Sequence, residues 1–376
     1  MATKIRTATL IGSTFVLILC VCADVLAASA GSTLLKAKQE AESKGYVFFT
    51  NHDEIISKAK KEGKLRVVGA NESALPAITE AFRKRYPFIE LRAESTRGAD
   101  AIQRFLLEIK AGEAAKDWDS AKVEPAFYSE YLPHLWKVDL LGMAEHGVLD
   151  IPPQMIDPKN RNVIAASTRF QVVSYNKNLI SPGQVPKSWE DFLKPEFKGR
   201  KFGLDPRGQD IATLVPAWGL EKALDFARKI AAQQPVWVQG SNRAIGSVLS
   251  GDNALFFGPT YSVVKRHQRK DRLGVIQFTV LEPVPVTDSG QEGILAMSRN
   301  PHAAVLWLEF MASAEAQKLL DQHEPMASSY HSKGSAVAEA LRGKKVSIIG
   351  WEEGERWGGW AAKISEAQGM PRAETK

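Results

Sequence analysis

The segment 64–109 constrains the fold more than any other part of the chain, because it runs through strand and helix periodicity twice without a break. Leu65, Val67 and Val68 belong to a short apolar run that reads as a strand and ends at Asn71-Glu72-Ser73. Leu75, Ile78 and Phe82 then recur at helical spacing, with Ser73 as the expected N-cap and Pro76 in the first turn, where a missing N–H does no harm. Tyr86-Pro87 stops that helix, and residues 89–93 read as a second strand. Ser95-Thr96-Arg97-Gly98 opens a helix whose Ile102, Phe105, Leu106 and Ile109 share one face. This order implies a parallel sheet joined by right-handed crossovers.

A second stretch, 169–209, organises the middle of the chain. Residues 170–175 read as a strand, Ser181-Pro182-Gly183 breaks it, and a short amphipathic helix carrying Trp189, Phe192 and Leu193 follows, with Ser188 as its cap. A turn over 195–200 leads to a short strand at 201–204 and a polar loop at 205–209. Helix and strand signals continue to alternate downstream, which makes the chain an α/β protein.

The N-terminus carries a targeting signal. Lys4 and Arg6 precede an apolar run over residues 8–22, and Val25-Leu26-Ala27 or Ala28-Ser29-Ala30 offers a small-residue cleavage site. Residues 1–30 therefore read as a secretory signal peptide; Gly12, Ser13 and Thr14 interrupt a run already shorter than the ~20 residues of a spanning helix. Both cysteines, Cys20 and Cys22, fall inside it, so a processed chain has no thiol for catalysis or thiolate metal binding. The formal net charge of +6 is small and mixed along the chain, which argues against a nucleic-acid binder.

The phrase Pro186-Lys187-Ser188-Trp189-Glu190-Asp191-Phe192-Leu193, followed by Pro195-Glu196-Phe197-Lys198-Gly199-Arg200, resembles the type II periplasmic solute-binding proteins of ABC importers, and within them the ferric-ion-binding group. Segments 59–68, 81–87, 106–119 and 250–257 are similar to that family in order and spacing, as are 283–290 and 293–297. The resemblance implies two lobes, each a mainly parallel sheet flanked by helices, with two hinge crossings. Lobe one would comprise 31–168 plus 287–376, with Trp351, Trp357 and Trp360 anchoring a C-terminal helix on it, and lobe two 169–286. It also implies a monomeric periplasmic protein that hands a small solute to an ABC permease, without cofactor and meeting the membrane only through that permease.

Ligands of open α/β sheets lie beyond the carboxyl ends of the strands, where helix N-termini favour anions. Four junctions have that form: Asn71-Glu72-Ser73, Thr96-Arg97-Gly98, the 205–209 loop with Arg207 and Gln209, and Ser241-Asn242-Arg243. Arg169 stands at the crossing, and arginine suits bidentate capture of carboxylate or phosphate. The expected solute is a small anion. The same residues would also serve as ordinary caps and solvated charges.

Ferric ion is the alternative that the resemblance raises, since the iron-binding relatives use two adjacent tyrosines after the strand that here ends at Phe257. This chain reads Gly258-Pro259-Thr260-Tyr261 there, leaving Tyr261 with Tyr175 as a possible second phenolate and Glu72, Tyr330 and His331 as further donors. No nucleophile elbow, zinc-protease, phosphate-loop or dinucleotide motif is present, so the expectation is a binder and not an enzyme.

Overall fold

The computed structural model describes residues 32–69, 73–95 and 99–371. Two sheets organise these residues. The first runs β11 (Val346–Ile349), β10 (Val284–Ile294), β3 (Ser120–Lys122), β1 (Lys64–Gly69), β2 (Glu90–Ser95), with β4 (Val163–Phe170) also paired to β10. The second runs β7 (Val236–Trp237), β6 (Phe202–Leu204), β8 (Leu255–Phe256), β5 (Val173–Asn176), β9 (Ile276–Thr279).

The sequence expectation of a parallel core holds where it was drawn: β1 is parallel to both β2 and β3, and β6 to both β7 and β8. Strands beside the crossings run the other way. β10 is antiparallel to β3 and β4, and β5 to β8 and β9. A strand entering or leaving a sheet at a crossing is not delivered by a helical crossover, so the rule for βαβ units does not govern its direction.

Alternation along β1 sends its side chains to two cores. Leu65 and Val67 join one cluster with Ile78, Phe82 and Trp307, while Val68 joins another with Phe105, Ala121 and Tyr131. A third cluster surrounds the second sheet, built on Trp189, Phe192, Phe202 and Phe257. A fourth lies at the junction and mixes elements of both sheets, with Phe170, Val172, Tyr261, Val284, Val286 and Val337 buried together.

Both crossings pass through that junction. Chain direction takes β4 through Gln171 and Val172 into β5, and β9 through residues 280–283 into β10. They lie side by side: Arg169 pairs with Thr287 and Phe170 with Val286, and Gln171 N donates to Pro285 O at 3.0 Å. The buried Trp189 ties the second sheet's core to the return crossing, since its Nε1 donates to Pro283 O at 3.0 Å.

A third connection was not expected. β11 pairs in parallel with the first four residues of β10, and Ser347 Oγ, buried, donates to Thr213 O at 2.7 Å while accepting from Ala217 N at 3.2 Å. The helix Trp351–Ala367 follows. Trp351 packs against the cluster holding Val68 and Val123, as the expected docking on lobe one requires, but Trp357, Trp360, Ala361 and Ile364 pack on the second sheet's cluster. A stripe of apolar residues specifies that a helix docks, not on which of two apolar surfaces.

Local signals translate with some corrections. Gly63 ends the helix His52–Glu62 in the left-handed conformation that its lack of a Cβ permits, its N–H donating to Ala59 O at 2.9 Å. Ser188 accepts from Asp191 N at 3.2 Å, as a cap should, but Trp189–Leu193 is a 3₁₀ turn because Lys194-Pro195 stops it within five residues. Ser73 is not a cap: Ala74 occupies that position before Leu75–Arg85, and Ser73 Oγ donates instead to Glu324 Oε2 at 2.9 Å.

Gly208 marks where the second sheet's polar loop meets the C-terminal helix. Its φ is +71°, and a Cβ there would lie 2.4 Å from Ala361 O and 2.7 Å from Ser365 N, both backbone atoms. Gly208→Ala is therefore expected to displace that helix and destabilise the protein by about 1–3 kcal/mol, measured by chemical denaturation. Unchanged stability together with unchanged proteolytic resistance of the C-terminal helix would contradict the contact.

Candidate functional site

The candidate site lies where the crossings separate the two sheets. Asn71, Glu72, Thr96, Arg97 and Gly98 of the expected set fall outside the described residues. The others occupy defined places. Arg169, on β4, exposes its side chain at the crossing and has no acid partner recorded among the described residues. Next to it on the same strand pair, Asp288 is buried opposite Thr168, with its Oδ1 3.5 Å from Thr168 Oγ1 and its Oδ2 3.5 Å from His331 Nε2. Tyr330 N donates to Thr168 Oγ1 at 2.8 Å, which fixes Tyr330 and His331 beside the crossing.

Arg207 is committed locally. Its Nε and Nη2 donate to Asp205 Oδ1 and Oδ2 at 3.0 and 2.7 Å, and its backbone N donates to the same carboxylate at 3.0 Å. Asp205 also accepts from Gly240 N at 2.8 Å, so this charged fork braces the loop that precedes the helix Ser241–Ser250. Burial acts to raise the Asp205 pKa, but the hydrogen bonds from Arg207 and Gly240 outweigh it and the carboxyl stays below its ordinary value. The cation expected to reach for an anion is thus a strut within its own lobe.

Ser241 is the first helical residue after Gly240 rather than the cap, and its Oγ accepts from Thr260 N at 3.2 Å, supporting the turn that leads into the helix Tyr261–Gln268. Asn242 Oδ1 lies 3.4 Å from His267 Nε2 on the exposed side, where Arg243 is also exposed. Burial, with the charges of Lys270 and Arg266, holds His267 below its usual pKa. Gln209 begins the helix Gln209–Ala212 directly after Gly208, and its carbonyl accepts from Thr213 Oγ1 at 2.9 Å.

The structure does not bring Tyr175 and Tyr261 together. Tyr261 is buried, stacks on Phe170 with ring centroids 4.6 Å apart and meets Phe278 edge-on at 5.2 Å. Phe278 pairs with Ser174 across the β5–β9 ladder, so Tyr175, one residue on, points to the opposite face, into the cluster around Trp189. Burial pushes the Tyr261 phenol up, which opposes a free phenolate. Among the described residues no group of three or more His, Cys, Asp or Glu side chains is placed to hold a metal ion.

Two groups that the motifs did not single out stand at the crossing. Gln171 Nε2 donates to Asp210 Oδ1 at 2.8 Å, joining the first crossing to the helix of the second sheet, and Gly258 leaves room for that carboxyl. A polar Gln in an apolar strand run was the available signal. Glu324 bridges the two bodies: it accepts from Ser73 after β1 and from Arg266 on the helix Tyr261–Gln268.

Two sheets joined by paired crossings, with polar and charged groups gathered there, define a two-lobe solute-binding protein. The chain belongs to the family of bacterial extracellular solute-binding proteins, whose model matches residues 120–355. An Fe(3+)-binding periplasmic protein of Serratia marcescens is 23% identical over 212 residues, covering 54% of this chain and 62% of that relative. Iron uptake protein A1 of Synechocystis sp. is 28% identical over 171 residues, 41% of this chain and 46% of its own length. The chain thus spans less than two thirds of either curated relative. The ferric iron-binding protein A of Mannheimia haemolytica, in an open conformation, has a TM-score of 0.64 at 17% identity, covering 81% of this chain and 98% of the other. At that identity it shows the fold, the type II periplasmic binding architecture.

Burial and the neighbouring Asp205 charge push the Asp210 carboxyl well above its ordinary pKa, with Arg207 opposing. A raised folded-state value means that this group's stabilising contribution is present below the ordinary aspartate range and is lost as pH rises through the raised value. Asp210→Asn, which keeps the acceptor for Gln171, is expected to raise the melting temperature at pH 7–8 and to leave it unchanged near pH 3. Equal melting temperatures across that range would show that Asp210 ionises freely in the fold.

Proposed function

We propose that the protein is the exported solute-binding component of an ABC importer and that its solute is ferric ion presented as an anionic, carboxylate-bearing chelate. One observation carries this reading: the crossing offers an exposed cation in Arg169 with no acid partner among the described residues, while Tyr175 and Tyr261, the two phenols expected to bind ferric ion together, lie on different faces of a sheet. Bare ferric ion requires several hard anionic oxygens converging on one point. A chelate brings those oxygens with it and presents surplus carboxylate to the protein, for which a guanidinium fork is the matching group. The names of the two curated relatives, one binding Fe(3+) and one serving iron uptake, support iron within the family.

Binding in this scheme closes the lobes. A solute that touches Arg169 at the crossing and groups on both bodies stabilises the closed form relative to the open one, and the contact of Glu324 with both Ser73 and Arg266 adds to closure. The closed monomer then docks on its permease in the periplasm and releases the solute. Nucleic acid has no place in the scheme, and no chemical step is required of the protein.

Calorimetry on chelator-treated protein tests the reading with three probes: ferric citrate, citrate alone, and ferric ion supplied by a weak chelator. Ferric citrate is expected to bind at least tenfold tighter than citrate. Arg169→Ala should weaken it by about 1.5–3 kcal/mol, the range for hydrogen bonds to charged groups. Equal affinity for citrate and ferric citrate would leave an organic-anion binder. A visible phenolate-to-iron absorption band that disappears in Tyr261→Phe would establish direct ferric ligation instead.

A further inference from the structure

The end of the second sheet away from the crossing carries a surface of a different kind. β5 leaves the crossing at Val173 and stops at Asn176, where its turn meets the last turn of the helix Ser241–Ser250 and the connection into β9: Asn176 Nδ2 donates to Val248 O at 2.9 Å and Lys177 N to Val275 O at 3.0 Å. Three of the six large apolar side chains exposed among the described residues lie on these three connections, Leu179 at 52%, Leu249 at 41% and Leu273 at 79%. The turn 177–179 draws them together: Lys177 Nζ donates to Leu273 O at 3.1 Å, and a Cβ on Gly251, two residues after Leu249, would lie 3.6 Å from Leu179 Cδ1. Local packing is supplied by others, since Ile180, Val248, Val275 and Ile276 beside them are buried. Single exposed leucines are ordinary, whereas a gathered group marks a contact surface.

Charge decides the partner. Lys177, Arg269, Lys270 and Arg272 are exposed around these leucines, and none has an acid within ion-pair distance among the described residues. The two acids present are held by neighbours: Asp271 Oδ2 accepts from Ile276 N at 2.8 Å and Asp252 Oδ2 from Ser250 Oγ at 2.7 Å. Cations at the end of the helix Tyr261–Gln268 also favour its dipole, which accounts for Arg269 but not for Lys177 or Arg272. The leucines stand on three separate connections, so no single helix or strand edge presents them, as recognition of a peptide partner would use. The partner that conforms to such a set is a fluid anionic interface, whose headgroups take the cations and whose acyl boundary takes the leucines.

We infer that this end of the second body is a membrane-contacting surface that binds anionic phospholipid, a contact additional to the permease. The inference does not rest on the solute proposed for the crossing.

Cosedimentation of the full signal-free chain with vesicles containing phosphatidylglycerol, and with vesicles of phosphatidylcholine alone, tests it at low ionic strength. Saturable binding is expected to the first and none to the second, falling at least tenfold in about 0.5 M salt. Lys270→Glu with Arg272→Glu should weaken binding at least tenfold and Leu273→Ser several-fold, each at an exposed position and with the melting temperature of the parent. Arg104→Glu with Lys318→Glu, the same charge change on exposed residues of the first body, should bind like the parent. No saturable binding, equal binding to phosphatidylcholine, or equal loss in the two charge-reversed variants would overturn the surface. Binding to polyglutamate with none to vesicles would also overturn it and make the patch a protein contact.

Discussion

The antiparallel pairing of β4 with β10 is the contact on which the rest of the molecule depends. It runs from the Val163–Gly293 pair to the Phe170–Val286 pair, and its last residues are the ones that cross to the second sheet. One hydrogen-bonded ribbon thereby serves as the edge of a lobe and as the start of a hinge. The groups that a solute could meet at the crossing, Arg169, Thr168 and Asp288, have their positions fixed by register in that ribbon. A slip by one residue would turn Arg169 inward and Phe170 outward, so the apolar junction core and the site chemistry are specified together.

That junction core explains why the tyrosine once expected as a metal ligand is a packing residue. Tyr261 sits between Phe170 and Phe278 and shares a cluster with Val284 and Val286 of the return strand. Aromatic packing of this kind stabilises the place where two bodies pivot. Charge at the crossing is apportioned in the same way: Arg207 is paired with Asp205, burial raises the Asp210 pKa, and Arg169 is exposed without an acid partner among the described residues.

Much of this was legible from residues. The βαβα unit at 64–109 and the Ser188 cap follow from local periodicity and capping chemistry, which act over a few residues, and the entry to the second sheet near residue 170 follows from the family resemblance. The failures share a cause, namely competition among partners that a local pattern does not rank. Ser73 has the composition of a cap but is taken by Glu324, 251 positions on. Arg207 has the composition of an anion receptor but finds Asp205 two residues away. Trp357 and Trp360 mark an apolar helix face, and only the shape of the second sheet's core decides where it docks.

The C-terminal helix changes the mechanics of the pair of lobes. With Trp351 seated on the first body and Trp360 and Ile364 on the second, the bodies stand on a tripod: two crossing strands and one rigid rod. Two adjacent strands alone permit both bending and twisting, whereas a third support set off to one side suppresses the twist. Fewer orientations are then available to the empty protein, so less rotational entropy is surrendered when the gap narrows around a solute.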